Sequence, residues 1–187
     1  MGLSFMNEDQ VDSKSALAWG SHLPALLACL ADTAGPVLEV GIGHFSTPAL
    51  HAFCVASGRG LWSVESDGLW SEKFQGQYEH ELHNFINGDY AEVLELLSNT
   101  RWSVTLIDSW PGCFPRPSTV AARRRQDFEL MIGHSTFVVV HDYEHETVEV
   151  ISPLLVTVPH TYVTRAYEPP TLVASMVRKI PEALKAL

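Results

Sequence analysis

Residues 37–51 constrain the fold more than any other part of the sequence. Their apolar start, VLEV, is typical of a buried β-strand, and it ends at Gly41 and Gly43 before a helix-like segment begins. Glycines at such a turn let the backbone reverse tightly and let a ligand approach the main chain. This stretch therefore predicts the first strand, loop and helix of an α/β fold, with a ligand-binding loop at the carboxyl end of the strand.

The rest of the chain repeats this alternation of strand and helix. Strand-like runs within LWSVESD, ELHNFINGD, WSVTLIDSWPG and STFVVVHDY are separated by helix-like segments, and two more runs flank Glu168-Pro169-Pro170. This rhythm predicts a doubly wound, mostly parallel seven-stranded α/β sheet with an antiparallel strand pair at its C-terminal end. We expect a single domain over residues 1–187, with N-terminal helices in 1–35 and the α/β core in 36–187.

The composition limits the partners that the protein is expected to have. The chain carries 12 Lys and Arg against 22 Asp and Glu, a formal net charge of −10. Nucleic-acid-binding proteins usually carry a basic surplus, so we do not expect nucleic acid as a partner. The one short basic run, residues 123–125, is interpreted as a solvated helix face. Dispersed cysteines, no secretory signal and no long apolar run predict a soluble cytoplasmic protein without a membrane span.

Acidic residues follow the predicted strands where a nucleoside ligand needs hydrogen-bond acceptors. Glu39 precedes the glycines and would suit an ammonium group, and Glu65 lies about 20 residues after the loop, the spacing at which an acid accepts from ribose hydroxyls. Asp89 fits either an adenine amino group or the N-cap of the next helix. Ser46 stands where a dinucleotide-binding loop carries its third glycine, which favours a zwitterionic nucleoside over NAD.

In this order and spacing, VLEVGIGHFSTPALH, LWSVESD, NGDY, LIDSWPG and VVVHDY resemble the class I S-adenosylmethionine-dependent methyltransferases over about residues 20 to 178. The resemblance implies a Rossmann-like methyltransferase fold, S-adenosylmethionine as the cofactor, and methyl transfer as the activity. We expect the cofactor to be bound by Glu39, Gly41, Gly43, Ser46, Glu65, Asp89 and Asp108.

Polar residues also end the fourth and fifth predicted strands, and these are the candidate catalytic residues. His141 is a candidate general base because its ordinary pKa lies near neutral pH. Alternatively, Asp108 and Asp142, with or without His141, hold a divalent cation such as Mg²⁺ that acidifies a substrate hydroxyl. That layout is similar to metal-dependent O-methyltransferases, although Tyr143 stands where those enzymes usually carry an amide. A purely structural alternative makes Asp142 a helix cap and His141 a hydrogen-bonded strand-end histidine.

These features predict methyl transfer to a small-molecule acceptor, at a hydroxyl. Trp110 and residues 111–118 are expected to form a lid, with Arg116 receiving an anionic group of the acceptor. The alternative is a tightly packed connection with Arg116 exposed. Two other functions stay open, a nicotinamide-dependent oxidoreductase and a non-catalytic protein that binds S-adenosylmethionine or S-adenosylhomocysteine. A homodimer is also considered, without a sequence feature to support it.

The remaining histidines give no sign of a metal site in their sequence spacing. Six of them are interpreted as structural or surface residues: His22, His51, His80, His83, His134 and His160. His44 lies within the glycine loop and His145 shortly after the fifth strand, where a solvated position is expected for His145.

Overall fold

A seven-stranded sheet forms the centre of the computed structural model, which describes residues 20–110 and 116–186. The strand order is β3-β2-β1-β4-β5-β7-β6, and neighbouring strands are parallel except that β7 runs antiparallel to β5 and β6. This confirms the predicted doubly wound sheet with an antiparallel pair at its C-terminal end. The strands are β1 (Val37–Val40), β2 (Leu61–Glu65), β3 (His83–Asn87), β4 (Trp102–Ile107), β5 (Ser135–Val140), β6 (His160–Thr164) and β7 (Thr171–Ser175).

Local sequence signals begin and end several of the helices. Asp67 and Asp89 cap the helices α3 (Gly68–Gln77) and α4 (Tyr90–Leu97) by accepting hydrogen bonds from backbone N–H groups of the first turn, and Gly58 ends α2 (Ser46–Ser57) in the left-handed conformation. Within residues 20–110 and 116–186, no helix combines the length and apolar character needed to cross a bilayer. The helices described are α1 (Leu23–Ala31), α2 (Ser46–Ser57), α3 (Gly68–Gln77), α4 (Tyr90–Leu97), α5 (Pro117–Met131), α6 (His145–Leu155) and α7 (Glu182–Lys185).

The central strands are apolar along their whole length because both faces of the sheet are covered. Val138 and Val140 of β5 pack into one buried cluster, whereas Phe137 and Val139 pack into another on the opposite face. Helix α1 joins the second cluster through buried residues such as Leu26, so this N-terminal helix shares the core of the sheet. The first part of the predicted N-terminal helical region, residues 1–19, lies outside the residues that the structure describes.

The loop after β1 lies where the strand order of the sheet reverses, with β2 on one side of β1 and β4 on the other. Carboxyl ends of parallel strands at such a point form the usual ligand site of open α/β sheets. Gly41 has a φ of +95°, and a Cβ at this position would stand 2.4 Å from the carbonyl oxygen of Asp108. The glycine therefore allows the loop to pass directly over the end of β4.

We expect Gly41→Ala to destabilise the protein more than Gly58→Ala. Both glycines have a positive φ, but a Cβ at Gly58 would meet nothing within 4 Å. The shared backbone strain costs roughly 1–2 kcal/mol at each position. Steric overlap with the end of β4 adds about 2 kcal/mol at Gly41 alone. Urea denaturation of the two variants measures the difference, and equal losses of unfolding free energy would contradict this account of the loop.

Candidate functional site

A cavity of about 550 Å³ opens at the carboxyl ends of β1, β4 and β5. Residues 42–46 of the glycine loop form one wall, and Asp108, His141 and Asp142 at the strand ends form another. Its volume lies in the range of small-molecule sites. The structure thus brings Gly43, Ser46 and the three strand-end residues into one cavity. The other four expected cofactor residues do not line it; they are Glu39, Gly41, Glu65 and Asp89.

Glu39 lies beneath the glycine loop, with its side chain completely buried. Its carboxylate accepts hydrogen bonds from the Thr47 hydroxyl at 2.9 Å and from the Ser63 hydroxyl at 2.5 Å. The Thr47 hydroxyl in turn accepts from the backbone N–H of Gly43 at 3.0 Å. Burial raises the pKa of Glu39 to about 7. The acid therefore ties β1 to the loop and to the start of α2, and its contact with a cofactor stays a prediction.

Glu65 ends β2 and holds the glycine loop from the side. One carboxylate oxygen, Oε2, accepts from the backbone N–H of Ile42 at 3.2 Å. The other, Oε1, accepts from the backbone N–H groups of Ser66 and Asp67 and from the Tyr90 hydroxyl. Among the described residues the Ile42 N–H is the one donor to Oε2, and a carboxylate oxygen has two lone pairs, so Oε2 keeps capacity for a further donor. This arrangement is compatible with a ribose hydroxyl bound beside the loop.

Asp89 is exposed, and one of its oxygens performs the capping role anticipated as an alternative. Oδ1 accepts from the backbone N–H groups of Ala91 at 2.8 Å and Glu92 at 3.4 Å. Oδ2 makes no hydrogen bond within the part of the chain that the structure describes. The cap is thus confirmed, and a contact between Asp89 and an adenine amino group stays a prediction.

Arg124 of α5 joins the ends of β4 and β5. Its Nη2 donates to Asp108 Oδ1 at 2.8 Å and to Asp142 Oδ2 at 3.1 Å, and its Nη1 donates to the backbone carbonyl of His141 at 3.1 Å. Only 2% of the side chain is exposed. Burial opposes ionisation of Asp108, but the charges of His141 and Arg124 hold the pKa of this carboxyl well below its usual range.

The interpretation of residues 123–125 as a solvated face is wrong for Arg124. Successive residues of a helix point about 100° apart, so three neighbouring side chains cannot share one environment. Arg125 is exposed and pairs with Glu129, whereas Arg124 points into the site. The helical pattern of the segment was the only sequence signal that one of these arginines faces inward.

His141 has a hydrogen-bonding partner at each ring nitrogen. Nδ1 donates to Asp108 Oδ2 at 3.1 Å, and Nε2 lies 3.1 Å from the Ser21 hydroxyl and 3.4 Å from Asp142 Oδ1. Because the Ser21 hydroxyl donates its own hydrogen to the carbonyl of Pro169, it accepts from Nε2–H. Burial opposes a charged ring, but the adjacent Asp108 carboxylate raises the pKa of His141 above its ordinary value. These partners favour a doubly protonated imidazole.

His22 is a second imidazole in this cluster. Its ring centroid lies 4.3 Å from that of His141, and the residue lines the cavity although only 1% of it is exposed. Among the residues that the structure describes, neither ring nitrogen of His22 has a hydrogen-bond partner. Burial lowers the pKa of His22 to about 4, so the ring is neutral at neutral pH. The two histidines are far apart in the chain, which is why sequence spacing did not single out His22.

A divalent cation shared by Asp108 and Asp142 does not fit this arrangement. The Arg124 guanidinium already lies between the two carboxylates and supplies the positive charge that pairs with both. A different set of donor atoms, from His22, Asp108 and His141, lies within 4.8 Å of one another. Within residues 20–110 and 116–186, this is the one group of three His, Cys, Asp or Glu residues close enough to hold a metal ion.

The lid predicted at residues 111–118 lies in part outside the residues that the structure describes. Trp110, just before it, lines the cavity and has 53% of its surface exposed. Residues 111–115 are not among those described, and Arg116 is the N-cap of α5. The lid therefore stays a prediction.

The overall fold is shared with solved methyltransferase structures. Human methyltransferase-like protein 13 in complex with SAH aligns with a TM-score of 0.61 and 19% identity, over 89% of this chain and 91% of that one. A putative caffeoyl-CoA O-methyltransferase from Staphylococcus aureus aligns with a TM-score of 0.59 and 9% identity, over 82% and 81%. CalS11, a TDP-rhamnose 3'-O-methyltransferase in calicheamicin biosynthesis, aligns with a TM-score of 0.58 and 12% identity, over 88% and 81%.

At these identities the likeness establishes the fold. No family model matches the chain, and no curated protein matches it in sequence. Each of the three alignments covers more than four fifths of this chain. The chain has the class I methyltransferase fold, as its resemblance to that family implied.

We expect the stability effect of Glu39→Gln to depend on pH. The pKa of about 7 in the folded protein exceeds the ordinary 4.5, so the unfolded chain ionises first and folding stability is lost as pH rises through this window. Glutamine removes that loss and can hydrogen-bond to both Thr47 and Ser63. The unfolding free energy of the variant minus that of wild type should therefore increase by roughly 2 kcal/mol between about pH 5 and about pH 8. Urea denaturation at both pH values measures this, and a pH-independent difference would contradict it.

We expect Arg124→Ala to lower the free energy of unfolding by about 3 kcal/mol, because it leaves two carboxylates without their shared partner. Arg125→Ala is the matched control on the same helix, since Arg125 forms only an exposed pair with Glu129. Arg125→Ala should lower the free energy of unfolding by less than about 1 kcal/mol. Thermal and chemical denaturation compare the two variants, and similar losses would show that Arg124 does not hold the strand ends together.

Proposed function

We propose that the protein transfers a methyl group from S-adenosylmethionine to a hydroxyl of a small molecule. The observation that carries this proposal is the position of the cavity between the glycine loop and the polar ends of β4 and β5. On the other side of that loop, Glu65 keeps an oxygen with capacity for a further hydrogen bond. A nucleoside bound at Glu65 would then have the loop and the cavity next to it.

The charge of the cavity suits this cofactor. S-adenosylmethionine carries an ammonium and a sulfonium group, and among the described residues four carboxylates line the cavity against two cations, Arg124 and the doubly protonated His141. The glycines of the loop let a ligand approach its backbone. At Gly43 there is little room for a side chain, because a Cβ there would stand 3.2 Å from the Ser46 hydroxyl. One protein with a similar fold was solved with SAH bound. The four carboxylate residues that line the cavity are Asp108, Asp142, Glu144 and Glu168.

Methyl transfer to a hydroxyl is an in-line displacement in which an oxygen lone pair attacks the methyl carbon and the carbon–sulfur bond breaks. The protein positions the two reactants and receives the proton that the hydroxyl loses. We assign this second role to the side chains of His141 and Asp142, which face the cavity, with Asp108 orienting His141 through its hydrogen bond to Nδ1. Because both ring nitrogens of His141 carry hydrogen, its Nε2 proton must first pass to the Asp142 carboxylate, 3.4 Å away, before the ring can accept the proton of the hydroxyl.

The nicotinamide-dependent alternative has less support. Ser46 at the start of α2 replaces the glycine that brings a helix N-terminus close to a pyrophosphate, and the helix has no side-chain cap. The antiparallel β7 inserted between β5 and β6 also departs from the parallel order of classic dinucleotide-binding sheets. The second alternative, a non-catalytic protein that binds the nucleoside, is distinguished from a methyltransferase by the turnover experiment below.

Isothermal titration of the whole chain with S-adenosylmethionine, S-adenosylhomocysteine and NAD tests the cofactor. We expect both sulfur nucleosides to bind and NAD not to bind. Glu65→Gln should weaken binding at least about 10-fold, because it removes charge-assisted hydrogen bonds to the ribose. Asp67→Asn is the matched control, since Asp67 lies on the same turn but caps α3. NAD binding alone would overturn the proposal.

Conversion of S-adenosylmethionine to S-adenosylhomocysteine in the presence of a panel of small hydroxyl compounds tests the transfer itself. Turnover that depends on a hydroxyl compound supports methyl transfer to a hydroxyl. Binding of both sulfur nucleosides without turnover across the panel favours the non-catalytic alternative.

A further inference from the structure

We propose that His22, Asp108 and His141 form a binding site for a transition-metal ion such as Zn²⁺ or Co²⁺ in the wall of the cavity. This donor set differs from the one considered from the sequence because it includes His22 and leaves out Asp142, which the Arg124 guanidinium separates from Asp108. The inference depends on the geometry of these three side chains and does not require that the protein transfer methyl groups.

The donor atoms are close to the spacing that a metal ion requires. Asp108 Oδ2 and His141 Nδ1 lie 3.1 Å apart, and the three donors are all within 4.8 Å of one another. Donors bound at about 2.1 Å from one ion stand roughly 3–3.5 Å apart in tetrahedral or cis octahedral geometry. One pair therefore already has this separation, and His22 needs to approach by roughly 1 Å, which rotation of an imidazole about its broad χ2 torsion can provide.

The unpartnered ring of His22 is independent evidence for a ligand at this place. Buried polar side-chain atoms nearly always have a hydrogen-bond partner, and leaving one without a partner costs about 1–3 kcal/mol. Both ring nitrogens of His22 are buried without a partner among the residues described, and the ring lines the cavity. A metal ion held jointly with Asp108 and His141 would use one of these nitrogens.

The types of donor decide which metal fits. Imidazole nitrogens suit Zn²⁺, Co²⁺, Ni²⁺ and Fe²⁺, whereas Mg²⁺ prefers an all-oxygen shell. With neutral imidazoles, Asp108 and Asp142 outnumber Arg124 by one charge, so a divalent cation is not repelled by the cluster as a whole. The ion would bind the Nδ1 lone pair of His141, and the proton that Nδ1 now donates to Asp108 would be released to solvent, which leaves the imidazole neutral.

Arg124 acts as a positioning residue for this site. It donates to Asp108 Oδ1 at 2.8 Å and so directs Oδ2 of the same carboxylate toward His141. Hydrogen bonds of this kind orient metal ligands and support their affinity. If methyl transfer also takes place here, an acceptor hydroxyl bound to the ion would lose its proton more readily.

The test is a titration of the whole 187-residue chain, stripped of metal by a chelator, with Zn²⁺, Co²⁺ and Mg²⁺. We expect one equivalent of Zn²⁺ to bind, Co²⁺ to develop visible d–d absorption, and Mg²⁺ to give no binding. His22→Ala should weaken Zn²⁺ binding at least about 100-fold, as loss of a direct ligand exceeds loss of an outer-shell partner. His44→Ala is the matched control, because His44 lines the same cavity but is not one of the three donors.

A second pair of histidines provides the competing location. The Nδ1 atoms of His51 in α2 and His83 in β3 lie 3.1 Å apart in another part of the fold, so His51→Ala is titrated in parallel. Zn²⁺ binding that survives in His22→Ala but is lost in His51→Ala would overturn the proposal, as would the absence of Zn²⁺ and Co²⁺ binding to wild type. His22→Gln, checked by circular dichroism, separates loss of the ligand from loss of the fold.

The same samples distinguish this inference from the proposed function. S-adenosylmethionine is titrated into stripped and Zn²⁺-loaded protein. Nucleoside binding by a protein that takes up no metal leaves the cofactor proposal standing and rejects the metal site. Metal binding without nucleoside binding supports the metal site and rejects the cofactor proposal.

Discussion

The buried guanidinium of Arg124 is the constraint on which the candidate site depends. It contacts the carboxylates that follow β4 and β5 and the backbone carbonyl of His141, and so fixes three elements relative to one another. A buried cation with these partners has little freedom to move, because each contact it gives up leaves a charge or carbonyl without a partner. Arg124 orients Asp108, and Asp108 together with the Ser21 hydroxyl orients the ring of His141.

The glycine loop is held from below and from the side by two acids with different roles. Glu39 is buried under the loop and bonded to hydroxyl groups, whereas Glu65 at the end of the neighbouring strand accepts from the loop backbone at Ile42. Their separation follows from the sheet, since a residue within a strand covered on both faces is buried and one at its carboxyl end meets the loops. Together they fix the loop that borders the cavity.

Much of the fold could be predicted from sequence because its signals are local. Strands covered on both faces must be apolar throughout, and Gly41, Gly58 and Asp89 mark a loop, a helix end and a helix start through their own backbone or side-chain properties. The site was predicted only in part. Asp108, His141 and Asp142 follow strands and so could be placed at one edge of the sheet, while Arg124 and His22 could not.

The sequence by itself determined the order of the elements, the glycine loop and the strand-end residues, because hydrophobic periodicity and turn chemistry act over a few neighbouring residues. Only the tertiary structure decided that Arg124 enters the space between two carboxylates and that His22 meets His141. Those contacts join residues far apart in the chain, and they depend on how α1 and α5 pack against the sheet. No spacing along the sequence encodes which side of a helix becomes the wall of a cavity.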